Sequence, residues 1–121
     1  MSSRPDAAGL LPLSPAVFHI LVSLADGDRH GYAIIQDVTA RTSGEVRLGP
    51  GTLYRSIQRM IKQDLIIETD TRPAPEADDE RRRYYRMTDF GREVAHAEAR
   101  RMETALGMAR AKSLIPRTRS V

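Results

Sequence analysis

Leu48-Gly49-Pro50-Gly51-Thr52-Leu53-Tyr54-Arg55-Ser56-Ile57-Gln58-Arg59-Met60-Ile61-Lys62 combines a helix start, an apolar stripe and a basic outer face in one short segment. Pro50 fixes φ near helical values and lacks an N–H that a first helical turn leaves unused, so Leu48 to Thr52 reads as a turn opening a helix. Leu53, Ile57, Met60 and Ile61 recur at i, i+4, i+7 and i+8, the spacing of one helix face turned inward. The opposite face carries Arg55, Gln58, Arg59 and Lys62, with no acid until Asp64. A basic stripe of this kind is ordinarily a solvated surface, and only its neighbours in the chain decide whether it is more.

Upstream, two further helices are predicted. Ser14 suits an N-cap and Pro15 the first helical position, after which Val17, Ile20, Leu21 and Leu24 form an apolar stripe flanked by Phe18 and Val22. Gly27 is the expected stop. The next helix is expected from His30–Gly31, with Ile34, Ile35 and Val38 inward, fraying by Ser43–Gly44. Downstream, Leu65-Ile66-Ile67 opens a short strand through Thr69, and Arg83 to Met87 reads as the returning strand with Tyr85 and Met87 on one face. The proline- and acid-containing residues 71–80 between them are a loop. Thr88 caps a long helix from Asp89 to about Lys112, and Pro116 ends anything helical.

Three helices followed by a two-stranded hairpin and a long helix describe a mainly α chain with a small β-hairpin, a winged helix-turn-helix carrying one C-terminal helix. The expected organisation is a flexible N-terminal arm at 1–12, whose end Leu10, Leu11 and Leu13 pin to the body, a DNA-binding domain at 13–88, a dimerisation helix at 89–112 and a basic flexible tail at 113–121. In this order the basic stripe falls on the third helix, the one that enters the major groove in helix-turn-helix proteins.

Three segments carry a family resemblance: His30-Gly31-Tyr32-Ala33-Ile34, Gly51-Thr52-Leu53-Tyr54, and Tyr84-Tyr85-Arg86-Met87-Thr88-Asp89-Phe90-Gly91-Arg92. In this order and at these spacings the chain resembles the PadR family of winged-helix transcriptional regulators, from about Leu13 to Met108, and within it the short-tailed branch with a single helix after the wing. The resemblance implies a homodimer held by the C-terminal helix, a repressor's function, and a small aromatic or drug-like inducer held between the last helix and the core. With no Trp and few other aromatics the chain is poorly supplied for stacking a flat ligand, and the Ala and Met lining the last helix suit either tight packing or a small apolar effector.

The residues themselves support a double-stranded DNA partner. Gly31 and Gly51 lack a Cβ, so a phosphate or another backbone can approach a helix start there. Thr52, Arg55, Ser56, Arg59 and Lys62 share the third helix, and an Arg in the major groove can bond guanine O6 and N7 in a fork. Tyr54 on the first turn can reach a phosphate or base edge, or staple two helices together. Tyr32 can pack on the hairpin or touch a phosphate. Arg72 and Arg82 flank an acidic wing tip, Pro75 to Glu80, and are expected to face the groove while the acids turn away. On the last helix Ala95, Ala99, Met102, Leu106 and Ala109 recur at near-heptad spacing, a surplus stripe that suits a partner subunit. Phe18 and Val22 join that dimer set.

Length and composition narrow the rest. The 121 residues are 40% hydrophobic and 29% charged, an ordinary single-domain composition. There is no Cys, which excludes disulfides, thiolate metal sites and cysteine nucleophiles. His19, His30 and His96 share no metal spacing, and no nucleophile triad or phosphate-cradling loop is visible, so neither an enzyme nor a cofactor is expected. No apolar run reaches the ~18 residues of a membrane span, and Met1 to Gly9 lacks a secretory pattern, so the expected address is the cytoplasm. The net charge is +3, but Arg110, Lys112, Arg117 and Arg119 lie in the last twelve residues; removing them leaves −1 over residues 1–109. DNA binding must therefore come from local patches. Two other classes fit less well: a winged helix serving protein association through its acidic tip, and an RNA binder, which would want an exposed stacking platform.

Overall fold

A computed structural model describes residues 6–69 and 83–116. A 3-10 turn at Ala7–Leu10 precedes α1 (Pro15–Leu24), β1 (Arg29–His30), α2 (Gly31–Arg41), α3 (Pro50–Lys62), β2 (Ile66–Thr69), β3 (Tyr84–Met87) and α4 (Asp89–Ala111). The predicted mainly helical winged architecture is present. Local chemistry explains the helix starts. Ser14 Oγ accepts the Val17 N–H at 3.2 Å, and Thr88 Oγ1 accepts the Gly91 N–H at 2.8 Å. His30 does the same for α2, its Nδ1 accepting the Ala33 N–H at 3.1 Å.

α1 is the hub of the fold, packing on α2, α3, α4 and β3. Ile20, Leu21, Ile34, Val38, Leu53, Ile57, Met60, Leu65, Ile66, Phe90 and Val94 fill the core between them. The start of α4 lies directly under the turn leading into β2, where a Cβ at Gly91 would collide with the Leu65 carbonyl oxygen. Leu65 itself is fully buried, and its carbonyl accepts the Thr88 N–H at 3.0 Å.

Several expectations need correction. The sheet has three antiparallel strands in the order β1-β3-β2, where a two-stranded hairpin was expected. The additional strand pairs Arg29 with Tyr85 and His30 with Tyr84. Asp28 reinforces it by accepting both Nε and Nη2 of Arg86, at 3.1 and 2.8 Å. α1 ends at Leu24, before Gly27. Tyr85 and Met87 do pack on the core, but Tyr84 on the other face is buried as well, its ring edge-on to His30 at 5.4 Å. The expected loose arm is, from Ala7 onward, a 3-10 turn laid against α4, with Leu10, Leu11 and Leu13 packed on the core. Glu98 explains the attachment: this buried carboxylate on α4 accepts the Leu13 N–H at 3.0 Å and is gripped by Arg101 at 2.6 and 3.1 Å.

Candidate nucleic-acid interface

α3 is buried along Leu53, Ile57 and Met60 and presents the rest of its circumference outward. Gly51, Thr52, Tyr54, Arg55, Arg59 and Lys62 are exposed, and Ser56 is half-buried. Gly49 caps the helix with no side-chain bond, so its first turn points open N–H groups to solvent. On one flank Thr52, Arg55, Ser56, Arg59 and Lys62 meet Ser14 and Val17 of the α1 start around a groove of about 510 Å³. Thr52, Arg55, Ser56, Arg59 and Lys62 therefore come together as one surface, and Tyr54 lies on the other flank.

Ion pairing divides the basic side chains of the described residues into two groups. Arg29, Arg41, Arg83, Arg86 and Arg101 each lie within 4.0 Å of a carboxylate. Arg41 and Arg86 are held more firmly protonated by their bonds to Asp37 and Asp28. Among the described residues Arg55, Arg59 and Lys62 make no ion pair, and neither do Arg47, Arg92, Arg100, Arg110 and Lys112.

On the other flank of α3 the tyrosines take distinct positions. Tyr54 lies against Gly31, where an added Cβ would run into its hydroxyl and ring and into Leu53 Cδ2. It staples α2 to α3 and still leaves 46% of its surface exposed, so both roles open to it in the sequence remain available. Tyr32 is 57% exposed and stands at a cleft shared with Tyr54, Arg83 and the hairpin residues Tyr85 and Glu68. Burial pushes the Tyr85 phenol above its ordinary value. Ile61, expected inward, is 39% exposed and lines this cleft. Arg72, Arg82 and the acidic tip lie outside the described residues.

The dimer set divides. Phe18 and Val22 are half-buried on α1. Ala95 already packs against the chain's own core. Ala99 and Leu106 are exposed, with Met102 and Ala109 half-buried, on the part of α4 beyond the body. Periodicity overlooked Met108 and Leu114, exposed at 65% and 76%. No described helix is long and apolar enough to cross a membrane.

A model of the transcriptional regulator PadR-like family matches residues 20–97, well over half of the chain. The chain belongs to the PadR-like family of transcriptional regulators. The match runs from Ile20 in α1 to Ala97 in α4 and thus covers all of α3, while Ser14 and Val17 of the groove precede it. A 37.1 kDa protein of a Streptomyces fradiae transposon is 39% identical over 88 residues, 73% of this chain; the chain spans only 23% of that relative's length. Among solved structures, a PadR family transcription regulator from Clostridium difficile superposes with a TM-score of 0.68 at 22% identity, over 81% of this chain and 97% of that one. Bacillus subtilis PadR, solved in complex with operator DNA, gives 0.59 at 19% identity over 71% of this chain and 47% of its own. Both share the winged-helix fold with this chain.

Proposed function

We propose that this PadR-like chain acts as a homodimeric, sequence-reading repressor that places two copies of α3 in successive major grooves of a pseudo-palindromic operator. The observation that carries this is the outer face of α3, where Arg55, Arg59 and Lys62 line one groove with Thr52 and Ser56 and have no carboxylate partner among the described residues. Its uncapped first turn adds open N–H donors for phosphate. Arg55 and Arg59, with Ser56, would read base edges; Thr52, Gly51, Tyr54 and Lys62 would hold the backbone and fix the register. Arg72 and Arg82, with Tyr32, would reach the duplex from the wing side.

Dimerisation through α4 supplies the second half-site, with Ala99, Met102, Leu106 and Ala109 meeting their copies and Phe18 and Val22 of α1 widening the contact. Recognition helices related by a two-fold axis then lie about 34 Å apart, one turn of DNA. The fact that Bacillus subtilis PadR was solved on operator DNA supports this assignment. A small effector would release the dimer from its operator.

Selection from a random duplex pool tests the proposal and requires no operator sequence to be chosen in advance. The enriched sequences should contain two inverted half-sites whose centres are about one helical turn apart. Recovery of unenriched sequence, or of a single asymmetric site, would contradict it. The acidic wing tip, on which protein association would rest, lies outside the described residues and lends that reading no observation.

A further inference from the structure

Ser14 is exposed on extended backbone just before α1, with φ −66° and ψ 154°. Pro15 follows it and disfavours helical geometry at Ser14, so the hydroxyl is presented outside the helix. Ser14 lines the groove of about 510 Å³ whose other wall is α3. Arg55, Arg59 and Lys62 lie along that wall, and among the described residues the lining includes no acid. We infer that Ser14 is a phosphorylation site, and that its phosphate docks on these three cations and closes the basic face of α3 to DNA. The modification and its docking stand on the groove alone; the closure rests on the DNA-reading function proposed above.

The position of the hydroxyl singles out Ser14. Thr52 and Ser56 also line the groove, but both lie within α3, and a kinase would have to unwind that helix to take either of them. Ser14 needs no such unwinding. In the reaction its Oγ attacks the γ-phosphorus of ATP held by a protein kinase. The new O–P bond forms as the bond to ADP breaks, and the hydroxyl proton passes to the catalytic carboxylate of the kinase. The product carries about −1.5 to −2 charge near pH 7 and three strong acceptor oxygens. Two guanidiniums and an ammonium across the groove supply matching donors, and a guanidinium binds phosphate through a planar fork. Ser14 Oγ accepts the Val17 N–H at 3.2 Å, and the phosphoester keeps oxygens at that position, so the start of α1 survives the modification.

The consequence falls on α3. α1 and α3 pack together in the core, so the phosphate is carried at a fixed place relative to the cations. A tethered group acts at high effective concentration and therefore competes strongly with the phosphates of a duplex for the same side chains. It also offsets about two of the three positive charges and repels the incoming backbone over the ~8–10 Å reach of weakly screened charge.

The test uses the full chain with phosphoserine incorporated during synthesis at Ser14 or, as a control, at Ser113, which follows α4 and lines no part of the groove. Phosphorus NMR against pH reads docking. The second ionisation of the phosphate at Ser14 should lie about one pH unit below that at Ser113, because adjacent cations favour the dianion. Combining it with Arg55→Ala, Arg59→Ala and Lys62→Ala should abolish the difference. Equal midpoints in the two phosphorylated chains would overturn docking. Fluorescence anisotropy reads closure. Phosphate at Ser14 should weaken duplex binding about tenfold or more and flatten the salt slope by about two, whereas phosphate at Ser113 leaves both unchanged. Ser14→Asp keeps an N-cap and adds one charge, so its affinity should fall in between. Unchanged affinity, or an equal loss from phosphate at Ser113, would overturn closure. Phosphopeptide mapping of the chain isolated from the cells that make it should find phosphate on Ser14; its absence in both growing and stationary cells would overturn the modification. An unmodified chain that binds no duplex contradicts the proposed function, and closure with it, while the phosphorus titration still decides docking.

Discussion

Arg59 and Lys62 share the exposed face of α3 but carry different chemistry. A guanidinium can fork onto a guanine edge, whereas an ammonium is a point charge suited to phosphate. Arg59→Ala should therefore cost about 1–3 kcal/mol on the selected operator and flatten preference at one base position. Lys62→Ala should weaken all sequences alike and reduce the salt slope by about one. Titrations of both variants on operator and scrambled duplexes check this division, and parallel losses on the two duplexes from both variants would sink it. The glycines make a second contrast. At Gly91 an added Cβ meets the backbone carbonyl of Leu65, which cannot step aside, so Gly91→Ala should lower stability by about 1–3 kcal/mol in urea melts. At Gly31 it meets the end of a tyrosine side chain, which can swing away. Gly31→Ala should consequently spare more of the stability and instead weaken duplex binding by displacing Tyr54.

At the scale of elements, α4 is tied to the N-terminal segment by Glu98. The Arg101 guanidinium holds the Glu98 carboxyl below its ordinary value of 4.5, burial opposes this, and the Leu13 N–H adds to it. A carboxylate depressed in the folded state contributes stability that is present above its unfolded pKa and is lost as pH falls through the folded value. Wild-type stability should thus fall more steeply below about pH 4.5 than that of Glu98→Gln, which should be about 1–3 kcal/mol less stable at neutral pH. Urea melts at stepped pH check both statements; superimposable profiles would contradict them. The same element marks where sequence reading succeeds and stops. α3 and the caps Ser14 and Thr88 were legible because periodicity and capping act over three or four residues of continuous chain. Glu98 was not, since its burial depends on a segment 85 residues away in sequence. β1 is two residues long and carries no period, so only the pairing with β3 reveals it. Ile61 fits the inward stripe by spacing, but the sheet stands off from that flank of α3 and leaves the cleft open. Gly31 was legible as a close-approach position, though the approaching group is Tyr54 of the same chain.

For the whole molecule, the decisive property is assembly. Beyond the body α4 carries Met102 and Leu106 with Ala99 and Ala109 on either side of them, the stripe that the proposed dimer would bury. Met102→Glu with Leu106→Glu should give a monomer by sedimentation while keeping the winged-helix spectrum, and should abolish binding to the two-half-site operator at concentrations that saturate the wild type. Retention of the dimer by the double variant would place the interface elsewhere. Family membership, an unpaired basic face on α3 and this stripe converge on one central claim, that α3 is the surface that engages DNA. Fluorescence anisotropy against duplex DNA at two salt concentrations, comparing the wild type with the triple variant Arg55→Ala, Arg59→Ala, Lys62→Ala, tests it most directly. The account predicts tight, salt-sensitive binding by the wild type and its loss in a triple variant that melts normally. Equal affinity of the two proteins, or no binding by the wild type even at low salt, would contradict it.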